Sequence, residues 1–448
     1  MSDQSAVGCL PAKVPDLAYA ASVKNSESHW RLTRQKKYSL KGVVRTVSPA
    51  TTIRRARKIL LKAGISRVAE VTHLDRIGIP NFMSVRPREV EPGISYYNGK
   101  GTTQDDAHAG AIMEAIERHA GETCASEIVF GSYSRLRRSR RCVDPDEIVV
   151  PRLKDYSSAL PLEWVAGFDL IGSCETLVPL NTVVCPYYPR RGEALFLAHT
   201  NGLASGNTLI EALCHALCEV IERDAQSISL ARTRIRPAVH SLAKRKLTAV
   251  KRERTILLES VPTRALLLIG KMRRAGLQVI LHDLSETAGI ATIECTMVDS
   301  TCPGIPNAYA GCGAHPDARV ALLRALTEAA QSRITKIQGG REDLPEILRR
   351  NEPISGQAAG EPPDAEEQIH FSDVPSWESR YVDEDVELML DRLPKYGLDQ
   401  VVAIDLTHRD VGVPVVRVVV PKAESWPVFR VHIGRATFGP RVHRELLA

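Results

Sequence analysis

Residues 114–120 of the chain are Glu-Ala-Ile-Glu-Arg-His-Ala, and residues 219–225 are Glu-Val-Ile-Glu-Arg-Asp-Ala. Each heptapeptide lies in a stretch whose apolar residues recur at helical spacing, which predicts long helices over 107–122 and 209–225. Glutamates three residues apart share a helix face, with their Cβ atoms about 5–6 Å apart. Each helix therefore presents two carboxylates, Glu114 with Glu117 and Glu219 with Glu222. A pattern shared by two distant segments predicts two related halves within one fold.

Both helices, and a third predicted over 318–337, follow a glycine-containing segment. These segments are GKGTT (99–103), NGLASGNT (201–208) and GCGAHPD (311–317). Backbone N–H groups at a helix N-terminus attract anions, so we interpret the three segments as turns that bind phosphate. The third helix places Arg324, Glu328 and Gln331 on one face, and arginine suits phosphate oxygens. A simpler interpretation stays open, in which the glycines merely turn the chain and the Glu–Arg pairs lie on solvated surfaces.

Like charges at i and i+3 repel unless a cation lies between them, and carboxylate oxygens suit Mg²⁺ together with substrate phosphates. The acidic helices therefore predict a magnesium site. The chain has no G-x-x-x-x-G-K-[ST] motif, no H-E-x-x-H, no G-x-S-x-G and no kinase signature set. A nucleotide would have to bind to a less common architecture, and no catalytic nucleophile or general base is identified.

The 448 residues are 44% hydrophobic and 25% charged, which is typical of a globular protein. Helical and strand-like stretches are mixed along the chain, which predicts an α+β or mixed α/β fold with long acidic helices packed on β-sheets. Residues 1–35 are predicted to be a flexible tail, 36–350 the core, 351–380 an exposed linker and 381–448 a C-terminal α/β part of the same domain. Further helices are predicted over 52–63, 247–260 and 385–393. Strands are predicted over 68–71, 82–85, 145–165 (short and irregular), 176–184, 279–283, 290–298, 309–311, 401–405 and 415–420.

Charge and composition exclude some partners. The net charge of +6 is too small to indicate nucleic acid, and only 5% of residues are aromatic. The basic segment RLRRSRR (135–141) is interpreted as a solvated loop, with a patch for RNA or an acidic partner as the alternative. The ten cysteines show no C-x-x-C pair, no signal peptide opens the chain, and no apolar run reaches about 20 residues. We expect a cytoplasmic protein without membrane or nucleic-acid partners.

Several blocks, in order, resemble the YcaO family. The resemblance covers roughly Lys41 to Asp343, with a weaker continuation to Pro421. The family pattern S-x-x-x-E-x-x-E-R is matched from Gly110 to Arg118, and N-G-x-x-x-G-N-T followed by E-x-x-E-R is matched from Asn201 to Arg223. The stretches RIGIPNFMSVRP and RALTEAAQSR are also similar. The resemblance implies a YcaO-type fold that binds ATP and Mg²⁺ between acidic helices.

By position, the resemblance implies that the residues holding Mg²⁺ are Glu114, Glu117, Glu219 and Glu222. Those contacting ATP would be Arg45, Thr52, Glu114, Asn207, Glu211, His215, Arg324 and Arg333, with Glu328 beside the two arginines. The chain departs from the family where Gly110 and Ala204 replace serines and where His215 replaces a common glutamine. These departures concern the adenosine and ribose contacts more than the metal site.

Members of this family phosphorylate the oxygen of a peptide backbone amide, which turns a poor leaving group into a good one. A side-chain nucleophile then gives an azoline, an amide nitrogen an amidine, and sulfide a thioamide. The chain has neither a P-x-P tail nor an apparent leader-binding domain, and so looks more like stand-alone members that work with a TfuA-like partner. We therefore expect thioamidation of a peptide or protein by a homodimer, with azoline or amidine formation and a non-catalytic accessory role as alternatives.

Overall fold

A computed structural model of the chain describes residues 27–39, 44–87, 94–237, 254–300, 307–339, 367–425 and 438–447. It contains a mixture of sheets and helices, in agreement with the predicted fold class. The strands are β1 (Arg67–Glu70), β2 (Asn81–Val85), β3 (Tyr96–Lys100), β4 (Ile128–Ser132), β5 (Pro161–Asp169), β6 (Cys174–Pro179), β7 (Leu203–Ser205), β8 (Arg254–Ile256), β9 (Leu277–Asp283), β10 (Thr292–Asp299), β11 (Asn307–Ala314), β12 (Glu367–Ile369), β13 (Val402–Asp405) and β14 (Val415–Val419).

Three long helices carry Glu114, Glu219 and Arg324, and the other described α-helices are shorter. The α-helices are α1 (Glu27–Trp30), α2 (Pro49–Ala56), α3 (Gln104–Ala120), α4 (Tyr133–Leu136), α5 (Leu209–Leu230), α6 (Thr263–Arg274), α7 (Ala318–Gln338), α8 (Val382–Arg392) and α9 (Pro440–Leu447). A short π-helical stretch, Ala231–Ile235, continues α5.

The strands form three sheets, and one long helix packs on each. The order in the first sheet is β1-β2-β3, which supports α3. The second sheet runs β11-β10-β9-β8-β12 and supports α7 and α6. The third runs β4-β5-β13-β14-β7, with β6 paired to β5, and supports α5. The apolar faces of these helices and sheets form the buried core.

The three long helices belong to three units built on the same plan. In each unit a strand ends, a capping residue follows (Thr103, Thr208 or Asp317), and the helix begins at the next residue. A Cβ atom on Gly99 would lie 2.1 Å from the carbonyl oxygen of Ala107, and one on Gly313 would lie 2.2 Å from that of Ala321. Both contacts join residues eight apart. The pattern predicted from two helices therefore extends to a third.

This packing corrects the interpretation of the glycine segments. Gly99 lies inside β3, and Gly311 and Gly313 lie inside β11, so these residues do not form turns. Their missing side chains allow each strand to touch the backbone of the following helix. Each of two helix N-termini has one of its backbone N–H groups bound by the capping side chain, because Thr103 accepts from the N–H of Asp106 and Thr208 from that of Glu211. Close packing therefore accounts for Gly99, Gly311 and Gly313, whereas Gly202 in the second segment does lie in a turn with φ of 78°. Phosphate binding at the helix N-termini stays a prediction.

Several predicted boundaries change. The segment 254–260 forms β8 and a 3₁₀ turn, not the end of a predicted helix, and 247–253 lie outside the described residues. The helix predicted over 52–63 is shorter, ending at Ala56. Strand β4 and helix α6 were not predicted. Strand β12 lies within the segment predicted as a linker and pairs in parallel with β8, so 367–380 is not a free linker.

The two ends of the described chain pack into the core. The predicted tail is wrong from Glu27 onwards, because Trp30 is only 5% exposed and Gln35 donates its backbone N–H to Asp383 at 2.7 Å. The C-terminal strands β13 and β14 lie in the middle of the third sheet, between β5 and β7. The segment after residue 380 therefore completes the sheet that supports α5.

Candidate metal and nucleotide site

The two acidic pairs on α3 and α5 face each other. Glu117 and Glu222 are 7% and 1% exposed, whereas Glu114 and Glu219 are partly exposed. Burial raises the pKa of Glu117 to about 8; Arg118 opposes this rise, and the negative charges of Glu219 and Glu114 add to it. Because Glu219 belongs to the other helix, its effect on Glu117 means that the carboxylates of both helices converge.

Glu222 on α5 is the second buried carboxyl group of the site. Burial raises the pKa of this carboxyl, and the charge of Glu328 raises it further, against the opposing effect of Arg223. Its Oε2 atom is buried and has no hydrogen-bond partner among the residues that the structure describes. A buried carboxylate oxygen without a partner is costly unless a cation meets it. The acidic residues on the two helices supply oxygen ligands of the kind that Mg²⁺ takes, so the donor set fits this ion.

The arginines of the two heptapeptides do not neutralise these carboxylates fully. Arg118 approaches Glu114 and Glu117 at 3.8 Å each, and Arg223 approaches Glu222 at 3.6 Å. These separations exceed hydrogen-bond length. The simpler interpretation of solvated surface pairs does not account for a site in which Glu117 and Glu222 are buried.

Four of the predicted nucleotide residues form one polar chain beside α5. Asn207 Nδ2 donates to Glu211 Oε1 at 2.9 Å, and Thr52 Oγ1 donates to Asn207 Oδ1 at 2.9 Å. Arg45 approaches the same Glu211 oxygen at 3.7 Å. Thr46 donates both its backbone N–H and its hydroxyl to Glu211 Oε2, at 2.8 and 2.7 Å. Arg45, Thr52, Asn207 and Glu211 are far apart in sequence but lie together in the structure, as expected. Thr46 was not predicted, because only its neighbour Arg45 matched a position of the family.

Helix α7 and strand β3 add charged side chains to the site. Lys100 on β3 forms an ion pair with Glu328, and Arg324 approaches Glu222 Oε2 at 3.9 Å. His215 lies nearby: burial lowers its pKa well below the ordinary value, and the positive charge of Arg324 lowers it further, so the ring is neutral. Within the described part of the chain, the buried Nδ1 atom of His215 has no hydrogen-bond partner. Lys100, which the sequence placed in a glycine turn, thus becomes part of the site.

Arg333 is not brought to this site, which corrects its assignment as an ATP contact. Its guanidinium donates to Asp75 at 3.2 Å and to Asp299 at 2.7 Å, and lies over the ring of Tyr309. Arg333 is nine residues beyond Arg324, and at about 100° per residue nine steps lead to the opposite helix face. Arg333 therefore links α7 to the segment between β1 and β2 through Asp75, and to β10 through Asp299.

One further arginine near the acidic helices was not predicted. Arg417 lies on β14 and is 0% exposed. Burial lowers its pKa to about 10; Cys185, Glu219 and Glu117 oppose this shift, and the cation Arg118 adds to it. The only sequence signal was an arginine in the otherwise apolar stretch VVRVVV (415–420), which gave no indication of its surroundings.

The helices within the described residues are each too short or too polar to span a lipid bilayer.

Cys214, His315 and Asp385 form a buried cluster of side chains that could hold a metal ion. Nδ1 of His315 accepts the N–H of Asp317 at 2.9 Å, so Nε2 carries the proton and cannot ligate a metal. Asp385 Oδ2 lies 3.5 Å from His315 Nε2 and pairs with Lys37 at 2.6 Å, so a buried ion pair accounts for the carboxylate of this cluster.

Comparisons with known proteins identify the family. Residues 98–424 match the family model described as YcaO cyclodehydratase, ATP- and Mg²⁺-binding, which bears out the expected cofactors. A protein of Methanothermobacter thermautotrophicus, described as uncharacterized, is 37% identical over 87% of this chain and 97% of its own length. A Rhizobium leguminosarum bv. trifolii protein, described as lying in the tfuA 3′ region, is 30% identical over 85% of this chain and 88% of its own.

A solved structure agrees with these matches. The structure of YcaO from Methanopyrus kandleri bound with AMPPCP and Mg²⁺ is 25% identical and superposes with a TM-score of 0.67. The match covers 91% of this chain and 99% of that one. The fold, the family description and the relatives agree: this chain belongs to the YcaO family.

Proposed function

We propose that this protein uses ATP and Mg²⁺ to phosphorylate the oxygen of a peptide backbone amide, and that sulfide then replaces this oxygen to give a thioamide. The observation that carries the proposal is the pair of acidic helices, which bring the buried carboxyl groups of Glu117 and Glu222 to one site together with those of Glu114 and Glu219. The relative in the tfuA 3′ region supports a TfuA-like partner and therefore the thioamide product. The substrate would be a peptide or protein.

In this proposal Glu114, Glu117, Glu219 and Glu222 hold Mg²⁺. The side chains beside them hold the nucleotide: Arg45, Thr52, Asn207, Glu211, His215 and Arg324. When bound, ATP with Mg²⁺ supplies the phosphoryl group that makes the amide oxygen a leaving group. Arg324 and Lys100 of the chain would place positive charge beside the phosphates. His215 is neutral, so it would offer a ring nitrogen to the nucleotide without adding charge.

Burial makes this arrangement selective for a bound cation. Glu117 and Glu222 meet little water, so their charges are stabilised only when a cation and the nearby arginines are in place. The hydrogen bonds that join Thr52, Asn207 and Glu211 hold three segments in one geometry before ligands arrive. Such preorganisation lowers the cost of aligning the amide with the phosphoryl group.

The family description favours one alternative, because cyclodehydratases use a nucleophile within the peptide. On that reading the same activation gives an azoline or an amidine. A non-catalytic accessory role is the third candidate. A homodimer, a cytoplasmic location and the partner itself stay predictions from the sequence.

The test is to incubate the purified protein, with and without a TfuA-like protein, with ATP, Mg²⁺, sulfide and candidate peptides. Mass spectrometry then distinguishes replacement of oxygen by sulfur from loss of water. Sulfur incorporation that requires ATP is the expected result. Loss of water without sulfide would establish the cyclodehydratase alternative, and nucleotide binding without turnover on any peptide would establish the accessory role.

Two variants link the chemistry to the site. Glu114→Ala and Glu219→Ala remove one carboxylate from each helix, and both are expected to abolish Mg²⁺-dependent ATP binding. Glu387→Gln is the matched control, since Glu387 is an exposed helical carboxylate on α8. If the two site variants bind nucleotide as the control does, the acidic helices are not the cofactor site.

A further inference from the structure

A cavity outside the acidic site lies where the end of α5 meets the second sheet. It holds about 460 Å³ of space, part of which is open to solvent. Its wall includes Ser229 of α5, Arg232 and Thr233 of the π-helical stretch, Arg254 of β8, Asp283 of β9 and Thr287. This volume is typical of pockets that bind small ligands, and π-helical turns frequently lie at functional sites.

Thr287 lines this cavity with a hydroxyl group that has no partner. The residue is only 6% exposed, and its buried Oγ1 atom makes no hydrogen bond within the described parts of the chain. Its backbone is held in place, because Arg441 of α9 donates to its carbonyl oxygen at 2.6 Å. A buried polar group without a partner is costly. A ligand in the cavity that forms a hydrogen bond with this hydroxyl would remove that cost.

The arginines and carboxylates in the wall of the cavity balance one another. Arg254 forms an ion pair with Asp283 at 2.5 Å, and Arg232 approaches Glu286 at 3.4 Å. Asp283 also accepts hydrogen bonds from the N–H and the hydroxyl of Ser285, so both of its oxygens are occupied. Two cations and two anions have no net charge together. The wall therefore favours an uncharged polar ligand over an ion.

A half-exposed face of α5 leads from the acidic site to the cavity. Glu219, Arg223, Gln226 and Leu230 follow one another at helical spacing, and each is only partly buried. Arg223 lies along this face, because it donates to Gln226 at 3.0 Å. Thr233 follows in the π-helical stretch, is also partly buried and lines the cavity. One accessible helix face therefore joins the acidic site to the cavity.

Helix geometry gives the distance between the two places. Ser229 lies seven residues beyond Glu222, and seven residues of α-helix rise by about 10 Å. An extended peptide advances by about 3.4 Å per residue, so about three residues span this distance. A peptide whose amide is activated beside Glu222 would therefore reach the cavity with about its third residue from that amide.

We propose that this cavity is a subsite for the peptide substrate, which binds an uncharged polar segment about three residues from the activated amide. The proposal rests on the proposed function for the link to catalysis, but not for the binding of a peptide segment. Peptide backbone suits the cavity, because each residue supplies one hydrogen-bond donor and one acceptor without charge. Thr287 offers its free hydroxyl to these groups, and Ser229 and Thr233 add two further hydroxyls to the wall.

A blocked tripeptide tests the cavity without knowledge of the natural substrate. Crystals of the full chain soaked in N-acetyl-Gly-Ser-Gly-amide are expected to show the peptide within hydrogen-bond distance of Thr287 Oγ1. Thr287→Val keeps the shape of the side chain and removes the hydroxyl, so it should weaken binding of the tripeptide in solution by about threefold to tenfold. A cavity without bound peptide in the wild-type crystals would overturn the subsite, whatever reaction the enzyme catalyses.

Kinetics on a peptide that the enzyme modifies test the link to catalysis. Ser229→Phe places an aromatic ring in the cavity and is expected to raise the KM for the peptide by about tenfold or more, with the KM for ATP within about twofold. Shortening the peptide to two residues beyond the modified amide, on one side at a time, should lower kcat/KM for the wild-type protein on one side only.

The same shortening should have little further effect on Ser229→Phe, because that variant has already lost the subsite. Ser139→Phe is the matched control, since Ser139 is an exposed serine in the segment after α4. If Ser229→Phe does not fold, Thr287→Val provides the same comparison with a smaller increase in KM of about threefold.

The two measurements separate the subsite from the proposed function. A raised KM for the peptide in an enzyme that forms azolines would support the subsite and refute only the thioamide product. An unchanged KM in a folded Ser229→Phe or Thr287→Val variant would overturn the subsite and leave the activity in place. Tripeptide bound in a protein that modifies no peptide would overturn the assignment to the substrate, together with the proposed function.

Discussion

Replacing Glu117 with Gln is expected to stabilise the ligand-free protein at pH 8 while abolishing its stabilisation by Mg²⁺ and ATP. Burial raises the pKa of Glu117 from 4.5 to about 8, a shift of about 3.5 units. At about 1.4 kcal/mol per unit, ionising this carboxyl in the folded protein costs up to about 5 kcal/mol. Gln carries no charge, and its side-chain oxygen can still accept the Ser205 N–H that Glu117 accepts at 3.1 Å.

The pH dependence gives this prediction its sign. Below pH 4.5 the carboxyl is protonated in both the folded and the unfolded chain, and the variant gains nothing. Between about pH 5 and pH 8 only the unfolded chain releases the proton, so the free energy of unfolding falls as the pH rises. Glu117→Gln removes this fall. Local relaxation reduces the measurable gain, but at least about 1 kcal/mol is expected at pH 8.

The assay is urea unfolding of the wild-type protein and the variant from pH 5 to pH 8, with and without Mg²⁺ and ATP. Glu387→Gln is measured in parallel and should follow the wild-type protein. Parallel stability curves for Glu117→Gln and the wild-type protein over this range would refute the reasoning about burial. A variant that is still stabilised by Mg²⁺ and ATP to the wild-type extent would refute the role of Glu117 as a metal ligand.

Three other predictions address different parts of the structure. Asn207→Ala should raise the KM for ATP by about tenfold in steady-state assays, because it breaks the hydrogen-bonded link from Thr52 to Glu211; an unchanged KM would exclude this link from nucleotide binding. Arg333→Met should leave nucleotide binding measured by calorimetry within about twofold, and a large loss would restore Arg333 to the site. Gly313→Ala should lower the free energy of unfolding by about 1–3 kcal/mol or more, since its Cβ atom would overlap the backbone of α7; normal stability would contradict the close packing.

The sequence predicted the parts of the site that depend on local geometry. Spacing alone placed Glu114 with Glu117 and Glu219 with Glu222, because a helix fixes which residues share a face. It also indicated that Arg324 and Glu328 belong together. Helix geometry also separates Arg333 from Arg324, since an offset of nine residues leads to opposite faces of the helix.

Long-range pairing lay beyond the sequence. Thr46 reaches Glu211 only because the chain before α2 folds back across α5, and no local pattern encodes that path. The burial of Arg417 beside the acidic helices depends on which elements pack around β14 in three dimensions. Glycines are ambiguous for a similar reason, since a turn and a close strand–helix contact both favour the absence of a side chain.

The close strand–helix contacts in the three units limit where residues can be inserted into the chain or deleted from it. Gly99, Ala204 and Gly313 each lie fifteen residues before a glutamate, Glu114, Glu219 or Glu328. The strand fixes one end of this interval against the helix, so one inserted residue would rotate the glutamate by about 100° away from the other two. Insertions and deletions should therefore be tolerated only between the units, and each fifteen-residue interval should be inherited at constant length.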